Sequence, residues 1–209
     1  MKIECFVLGQ LQTNCYLVYD ETSLEGIVID PAGEGDFISQ KILDLGIDLQ
    51  AIVATHGHFD HVLAALELKL NFNAPFLMHK ADLSILNRVQ DSAKYFTGLE
   101  VDPPAPVDKF LKEGDLIEFG QEKLKVIETP GHTPGSICLL SKDVLFSGDT
   151  LFCQGVGRTD FAYSSSEQLR KSIKNKLFIL SKETCVYSGH GEITTIGTEK
   201  LEQRSEAKK

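Results

Sequence analysis

Four potential metal ligands fall within six residues in Ala51-Ile52-Val53-Ala54-Thr55-His56-Gly57-His58-Phe59-Asp60-His61, directly after an apolar strand and directly before a helix. His56 and His58, two apart in an extended turn, can point the same way. Asp60 and His61 then fall at the helix start, where they can address a second point, and Gly57 leaves the backbone free to bend between them. One histidine alone is more often structural than a ligand. Three imidazoles and a carboxylate this close together face desolvation and mutual crowding unless a cation lies between them. The spacing and the residue types therefore point to a metal centre.

Further ligands are expected just past other strand ends. Thr129-Pro130-Gly131-His132-Thr133-Pro134-Gly135-Ser136 sets His132 in a turn. Phe146-Ser147-Gly148-Asp149-Thr150 ends an apolar strand in a carboxylate, and Val186-Tyr187-Ser188-Gly189-His190-Gly191 gives a glycine-flanked histidine. Asp beside Gly is commonplace in turns, so Asp149 gains its weight only from the other strand-end ligands. Five of the six histidines are then accounted for, and His79 is expected to be structural.

The rest of the chain is organised around these turns. The 209 residues, 42% of them hydrophobic, suffice for one sizeable core. Lys2–Leu8, Asn14–Tyr19 and Gly26–Ile29 pattern as strands, followed by a helix over Gly35–Leu45 with Phe37, Ile38, Lys41, Ile42 and Leu45 on one face. Strand Ala51–Ala54 is followed by a helix marked by Val62, Leu63, Leu66 and Leu70, then strand Pro75–Met78 and a helical stretch from Ala81 to about Phe96. Asp102-Pro103-Pro104-Ala105-Pro106 is a connector. Strands restart at Leu116–Phe119, Leu124–Glu128, Ser136–Leu140 and Val144–Ser147. Ser164 reaching Glu167 has the form of a capping box for a helix with Leu169, Ile173, Leu177 and Leu180 on one face. Thr184–Tyr187 is the last strand, before a short helical tail ending in Lys208-Lys209. Two runs from strands to helix suggest an α/β chain with two sheets face to face and helices outside.

Composition narrows the function classes. No charged and apolar opening marks a signal peptide, and no stretch approaches the ~18 apolar residues of a membrane span. Five scattered cysteines without a CxxC pair suit reduced thiols, so a cytoplasmic location is expected. A net charge of −9 works against a nucleic-acid partner.

His56-Gly57-His58-Phe59-Asp60-His61 resembles the HxHxDH signature of the metallo-β-lactamase superfamily, and His132, Asp149 and His190 match its remaining ligand motifs. The similarity runs from Leu8 to about Gly197 and is nearest to short glyoxalase II-like (hydroxyacylglutathione hydrolase-like) proteins. It implies an αββα four-layer sandwich with two divalent metals at one edge. By resemblance, His56, His58 and His132 would hold one metal, Asp60, His61 and His190 the other, and Asp149 would bridge them. Only 19 residues follow His190. The expectation is thus a single domain over 1–209 without the C-terminal helical domain of full-length glyoxalase II.

The expected chemistry is hydrolysis of a small-molecule thioester such as S-lactoylglutathione, by attack of a metal-bridging hydroxide on the carbonyl, with Asp60 orienting the nucleophile. Mixed imidazole and carboxylate ligation suits zinc first, with iron or manganese as alternatives. In the loop Leu151-Phe152-Cys153-Gln154-Gly155-Val156-Gly157-Arg158-Thr159-Asp160-Phe161, which its glycines are expected to make flexible, Arg158 can hold a substrate carboxylate or pair internally with Asp160 or another acid; both readings stay open. The rival function is a persulfide dioxygenase, whose relatives share a Gly-Arg-Thr-Asp-Phe loop like residues 157–161 and use one iron on counterparts of His56, His132 and Asp149.

Overall fold

Strand β1 (Lys2–Leu8) is half covered, whereas β2 (Thr13–Tyr19) is buried along its whole length and β3 (Glu25–Ile29) along almost all of it. Burial on both faces is what a central strand between two apolar layers requires. These observations come from a computed structural model that describes residues 1–206; the expected Lys208-Lys209 end of the tail lies outside the described residues.

The first sheet has the order β1-β2-β3-β4-β5-β6, with β4 at Asp48–Val53, β5 at Phe76–His79 and β6 at Lys109–Leu111. The second sheet is built from β7 (Leu116–Phe119), β8 (Glu122–Glu128), β9 (Ile137–Ser141), β10 (Val144–Gly148), β13 (Cys185–Ser188) and β14 (Thr194–Thr195), in the order β14-β13-β10-β9-β8-β7. A separate two-stranded ribbon, β11 (Leu151–Phe152) with β12 (Gly155–Val156), follows Asp149.

Apolar residues from both sheets meet between them, including Val18, Ile29 and Val53 from the first and Phe119, Val126 and Phe146 from the second. The outer face of the first sheet packs on α1 (Gly35–Leu45), α2 (Ala65–Phe72) and α4 (Val89–Thr97) through Ile38, Ile42, Leu68 and Ala93. A short helix α3 (Leu83–Leu86) precedes α4. The outer face of the second sheet is covered by α5 (Ser166–Ser172), by the π turn Ile173–Leu177, and by Ile196 at the start of α6 (Ile196–Glu206). The result is the four-layer αββα sandwich.

Several expectations shift. Leu70 is 74% exposed, because the segment after His61 forms a helix only from Ala65 and buries Ala65 and Leu68 instead. The stretch from Ala81 to Phe96 is helical but broken between α3 and α4. The cap of α5 is Ser165, whose hydroxyl accepts the Gln168 N–H at 3.3 Å. Ser164 is occupied elsewhere: its hydroxyl donates to the His132 carbonyl at 2.6 Å.

The topology gathers the ligand-bearing turns. Strands β3, β4 and β5 run parallel, and so do β10 and β13. Their carboxyl ends, with that of β8, open on one edge, where the Ile137 N–H donates to the Thr55 carbonyl from sheet to sheet.

Candidate metal centre

All seven residues expected to hold metal come together at that edge. Three overlapping groups have donor atoms close enough to share a cation: His56, His58 and His132; His56, His61 and Asp149; and Asp60, His61 and His190. Within the first, His58 Nδ1 lies 3.0 Å from both His56 Nε2 and His132 Nε2. Around Asp60, its Oδ2 is 3.4 Å from His190 Nε2 and 3.5 Å from His61 Nε2. Asp149 lies between the groups, its Oδ1 3.5 Å from His61 Nε2 and its Oδ2 3.6 Å from His132 Nε2 and 3.7 Å from His190 Nε2. Donors bonded at ~2.0–2.2 Å to one tetrahedral ion sit roughly 3.3 Å apart. The observed separations fall on either side of that value.

The outward ring nitrogens show which atoms face the centre. His132 Nδ1–H donates to the Arg158 carbonyl at 2.8 Å, and His61 Nδ1–H to Asp30 Oδ2 at 3.0 Å. Thr55 Oγ1 donates to Asp30 Oδ2 at 2.8 Å and so is left to accept from His56 Nδ1 at 3.1 Å. His58 alone turns Nδ1 inward, with its Nε2 held 2.7 Å from the Tyr163 hydroxyl. Outer partners of this kind fix tautomer and ring orientation in metal sites.

Titration divides the groups. Burial, then the neighbouring imidazoles, push His56 well below the usual histidine range and His58 down to about 3. Both rings are neutral at pH 7, and His56 Nε2 and His58 Nδ1 face each other at 3.0 Å. Burial opposes charge on His61 as well, but Asp60, Asp149 and Asp30 override it and raise His61 to about 10. Burial would raise Asp60, yet His61 and His190 hold it below the ordinary carboxylate range. His61 Nε2 and Asp149 Oδ1 are buried without any hydrogen-bond partner. Buried polar atoms are rarely left so, and with imidazole and carboxylate donors converging around them the donor set fits divalent cations.

Close packing shapes the cluster. Gly148 has φ +47°, and a Cβ there would strike the Thr55 side chain. A Cβ on Gly189 would strike Asp149 Oδ1 and His61 Cε1.

Three supporting residues were not picked out from the sequence. Asp30, 1% exposed and in a left-handed conformation (φ +52°), accepts from Thr55 and His61 and so supports His61 directly and His56 through Thr55. Asp82, fully buried, accepts from Gly57, Thr133 and Gly135. Thr13 Oγ1 donates to Asp60 Oδ2 at 3.0 Å. Asp30 follows β3 and Asp82 follows β5, so the strand-end rule that singled out Asp149 reaches them too. His79 stands apart: its Nε2 pairs with Glu128 Oε1 at 3.3 Å and its Nδ1 accepts the Ala81 N–H.

Arg158 lines the cavity over the centre, along with His58, Asp60, His132, Asp149 and His190. Its guanidinium grips Asp160 through Nε–Oδ1 at 2.7 Å and Nη2–Oδ2 at 2.6 Å, and lies 4.6 Å from the Phe161 ring centre. The internal pair with Asp160 is therefore formed, at the mouth of the cavity.

A two-sheet edge presenting clustered histidines and aspartates defines a metallo-hydrolase. The family model of the metallo-beta-lactamase superfamily matches residues 8–190, and the chain belongs to that family. It is 36% identical over 203 residues to hydroxyacylglutathione hydrolase GloC of Haemophilus influenzae, covering 96% of this chain and 95% of that one. Among solved structures, BLEG-1 B3 metallo-beta-lactamase superposes with a TM-score of 0.88 at 34% identity, over 95% of this chain and 96% of that one. TTHA1623 in a di-iron-bound form gives 0.85 at 36% identity, over 94% and 96%. ETHE1 from Myxococcus xanthus gives 0.80 at 30%, over 96% and 82%. No described helix is long and apolar enough to cross a membrane.

Proposed function

We propose that this metallo-hydrolase cleaves small-molecule thioesters, S-lactoylglutathione among them, at a two-metal centre in one metallo-β-lactamase-like domain. The observation that carries the reading is the pair of buried atoms His61 Nε2 and Asp149 Oδ1, which lie 3.5 Å apart between the donor groups and have no hydrogen-bond partner. His56, His58 and His132 would hold one ion, Asp60, His61 and His190 the second, with Asp149 shared. Imidazole and carboxylate donors suit zinc first, and iron or manganese next. Bound there, a pair of divalent ions supplies an activated water and a polarised carbonyl oxygen.

The chain's own residues do the rest. Thr13 fixes the Asp60 carboxylate, which would hold the second ion and orient the attacking water. Tyr163 and Phe161, stacked at 5.4 Å, wall the cavity on the His58 side. Burial pushes the Tyr163 hydroxyl up to about 12, which makes it a poor general acid. A thiolate leaving group, with a parent thiol near pKa ~8.5, needs little protonation, whereas an amide nitrogen does. A thioester is thus the acyl substrate this cavity suits. Likeness to the Haemophilus influenzae hydroxyacylglutathione hydrolase supports the same choice.

The one-iron alternative would engage only His56, His132 and Asp149 as ligands, whereas the hydrolytic reading uses all seven donors, and metal content with oxygen uptake separates the two. The test is thiol release from S-lactoylglutathione by metal-loaded protein. Turnover that disappears in Asp149→Ala supports the reading. One iron per chain with oxygen uptake on a persulfide, and no thiol release, would replace it by the oxidoreductase.

A further inference from the structure

The cavity over the centre has a volume of about 210 Å³. Pockets that enclose a small ligand usually span ~300–1,000 Å³, so this one holds the reacting carbonyl and its nearest atoms while the remainder of a thioester lies beyond it. Two cavities share its walls. One, of about 380 Å³, adjoins through Leu11, Phe59 and Asp60, is walled by Leu8, Leu63 and Leu99, and has Glu34 and Asp60 as its charged residues. The other, of about 640 Å³, shares Ser92, Phe96, Phe161 and Tyr163 with the centre and continues to Tyr95, Arg88 and Asp91.

The second groove combines two features that suit a polar arm. Two aromatic pairs line it: Tyr95 with Phe96 edge-on at 4.9 Å, and Phe161 stacked on Tyr163. Tyr95 is 83% exposed although it is a large aromatic on a helix. Arg88, at the start of α4, is exposed, and its guanidinium has no hydrogen-bond or ion-pair partner among the described residues. Arg158, nearer the centre, is held by Asp160. In a chain of net charge −9, an unpaired arginine in a groove continuous with the site is an anchor for an anion.

We propose that this groove receives the thiol-carrier arm of the substrate, with Arg88 binding an anionic group on that arm and the aromatic pairs flanking its chain. This inference rests on the thioesterase reading. Asp91, in the same groove, suits an amide N–H of the arm, so the carrier class is an anionic, amide-containing thiol. The acidic, apolar Leu11–Leu99 cavity would repel such an arm and is left to the acyl group. The anion can be a carboxylate, as in glutathione, or a phosphate, as in coenzyme A.

The experiment compares three thioesters of one acyl group, carried by glutathione, coenzyme A or N-acetylcysteamine, the last short and uncharged. In Arg88→Ala, the kcat/KM ratio of the preferred anionic carrier to N-acetylcysteamine should fall by about tenfold, the size of one lost charge-assisted hydrogen bond. Lys94→Ala removes an equal charge from α4 at a residue already paired with Glu100, and should leave that ratio unchanged. Whichever carrier shows the Arg88 dependence identifies carboxylate or phosphate. An unchanged ratio in Arg88→Ala, or an equal fall in Lys94→Ala, overturns the proposal. Calorimetric binding of free glutathione and coenzyme A reads the groove without turnover. Arg88-dependent binding with no hydrolysis of any thioester would sustain the groove and refute the thioesterase reading. Neither binding nor hydrolysis would refute both.

Discussion

Asp82 Oδ2 accepts the backbone N–H of Gly57 at 2.9 Å, tying the turn between His56 and His58 to the loop that follows β5. The same oxygen accepts the Thr133 hydroxyl at 2.7 Å, and Oδ1 accepts the Gly135 N–H at 2.6 Å. One fully buried carboxylate therefore clamps the two turns that carry His56, His58 and His132. Burial pushes its pKa up, opposed by the hydrogen bonds from Thr133, Gly57 and Gly135.

Asp82→Asn keeps the shape but sets amide hydrogens against those donors. A buried donor left unsatisfied costs about 1–3 kcal/mol, so the variant should lose about 2–3 kcal/mol of stability. Because the clamp spans the first donor group, bound metal per chain should fall too. Urea denaturation and elemental analysis read the two effects. Wild-type stability together with full metal content would show that Asp82 is not the clamp.

Gly189→Ala tests the packing of the centre from the opposite side. Its new methyl would press on Asp149 Oδ1 and His61 Cε1, which both need to move for it to fit. Overpacking of this kind costs about 1–3 kcal/mol, and here it falls on the shared carboxylate. The expected outcome is a folded protein with reduced metal content and at least about tenfold lower kcat/KM, since 1.4 kcal/mol is a factor of ten. Circular dichroism, metal analysis and kinetics on one preparation check it; an unaltered metal content would contradict the geometry.

The bounds of β1 and α1 were legible in the sequence as Lys2–Leu8 and Gly35–Leu45, but of the helical face expected there only Ile38 and Ile42 are buried, while Phe37 and Leu45 stay exposed. The ligand set was legible because its donors are chemically costly and recur at strand ends. Asp30 and Asp82 escaped notice for a physical reason: single aspartates in turns are common, and their partners lie at least 25 residues away along the chain. Strand β6 is three residues long with one buried side chain, too short to show a period. The loop after Asp149, read as flexible, pairs as a ribbon about Gln154 at φ +58°. Arg158 shows the limit most clearly. Its two readings differ in a side-chain rotamer, which no sequence pattern specifies.

Metal should couple directly to stability. The fold converges donors that are scattered along the unfolded chain, so the folded protein binds metal far better than the unfolded one. A ligand at a hundredfold excess over its Kd stabilises by ~2.7 kcal/mol. Zinc added to chelator-stripped protein should therefore raise Tm by several degrees. His56→Ala should blunt the rise. A Tm indifferent to zinc, iron and manganese alike would argue against the centre.

The Arg158–Asp160 pair makes a pH prediction of definite sign. Hydrogen bonds from Arg158 hold the Asp160 carboxyl down to about 2, below the ~3.9 of a free aspartate. A depressed folded-state pKa means that the pair's contribution is present above the unfolded value of ~3.9 and is lost as pH falls through about 2. Both side chains are well exposed, so the pair's effect on global stability is small and the carboxyl itself is the readout. Carboxyl-carbon NMR should place the Asp160 midpoint near 2 in the wild type and shift it up toward ~3.9 in Arg158→Ala. If instead Arg158 leaves Asp160 to meet a substrate carboxylate, saturating anionic ligand should raise the Asp160 midpoint in the wild type as the mutation does. An Asp160 midpoint that ligand leaves in place assigns Arg158 to the loop and leaves anion binding in the groove to Arg88.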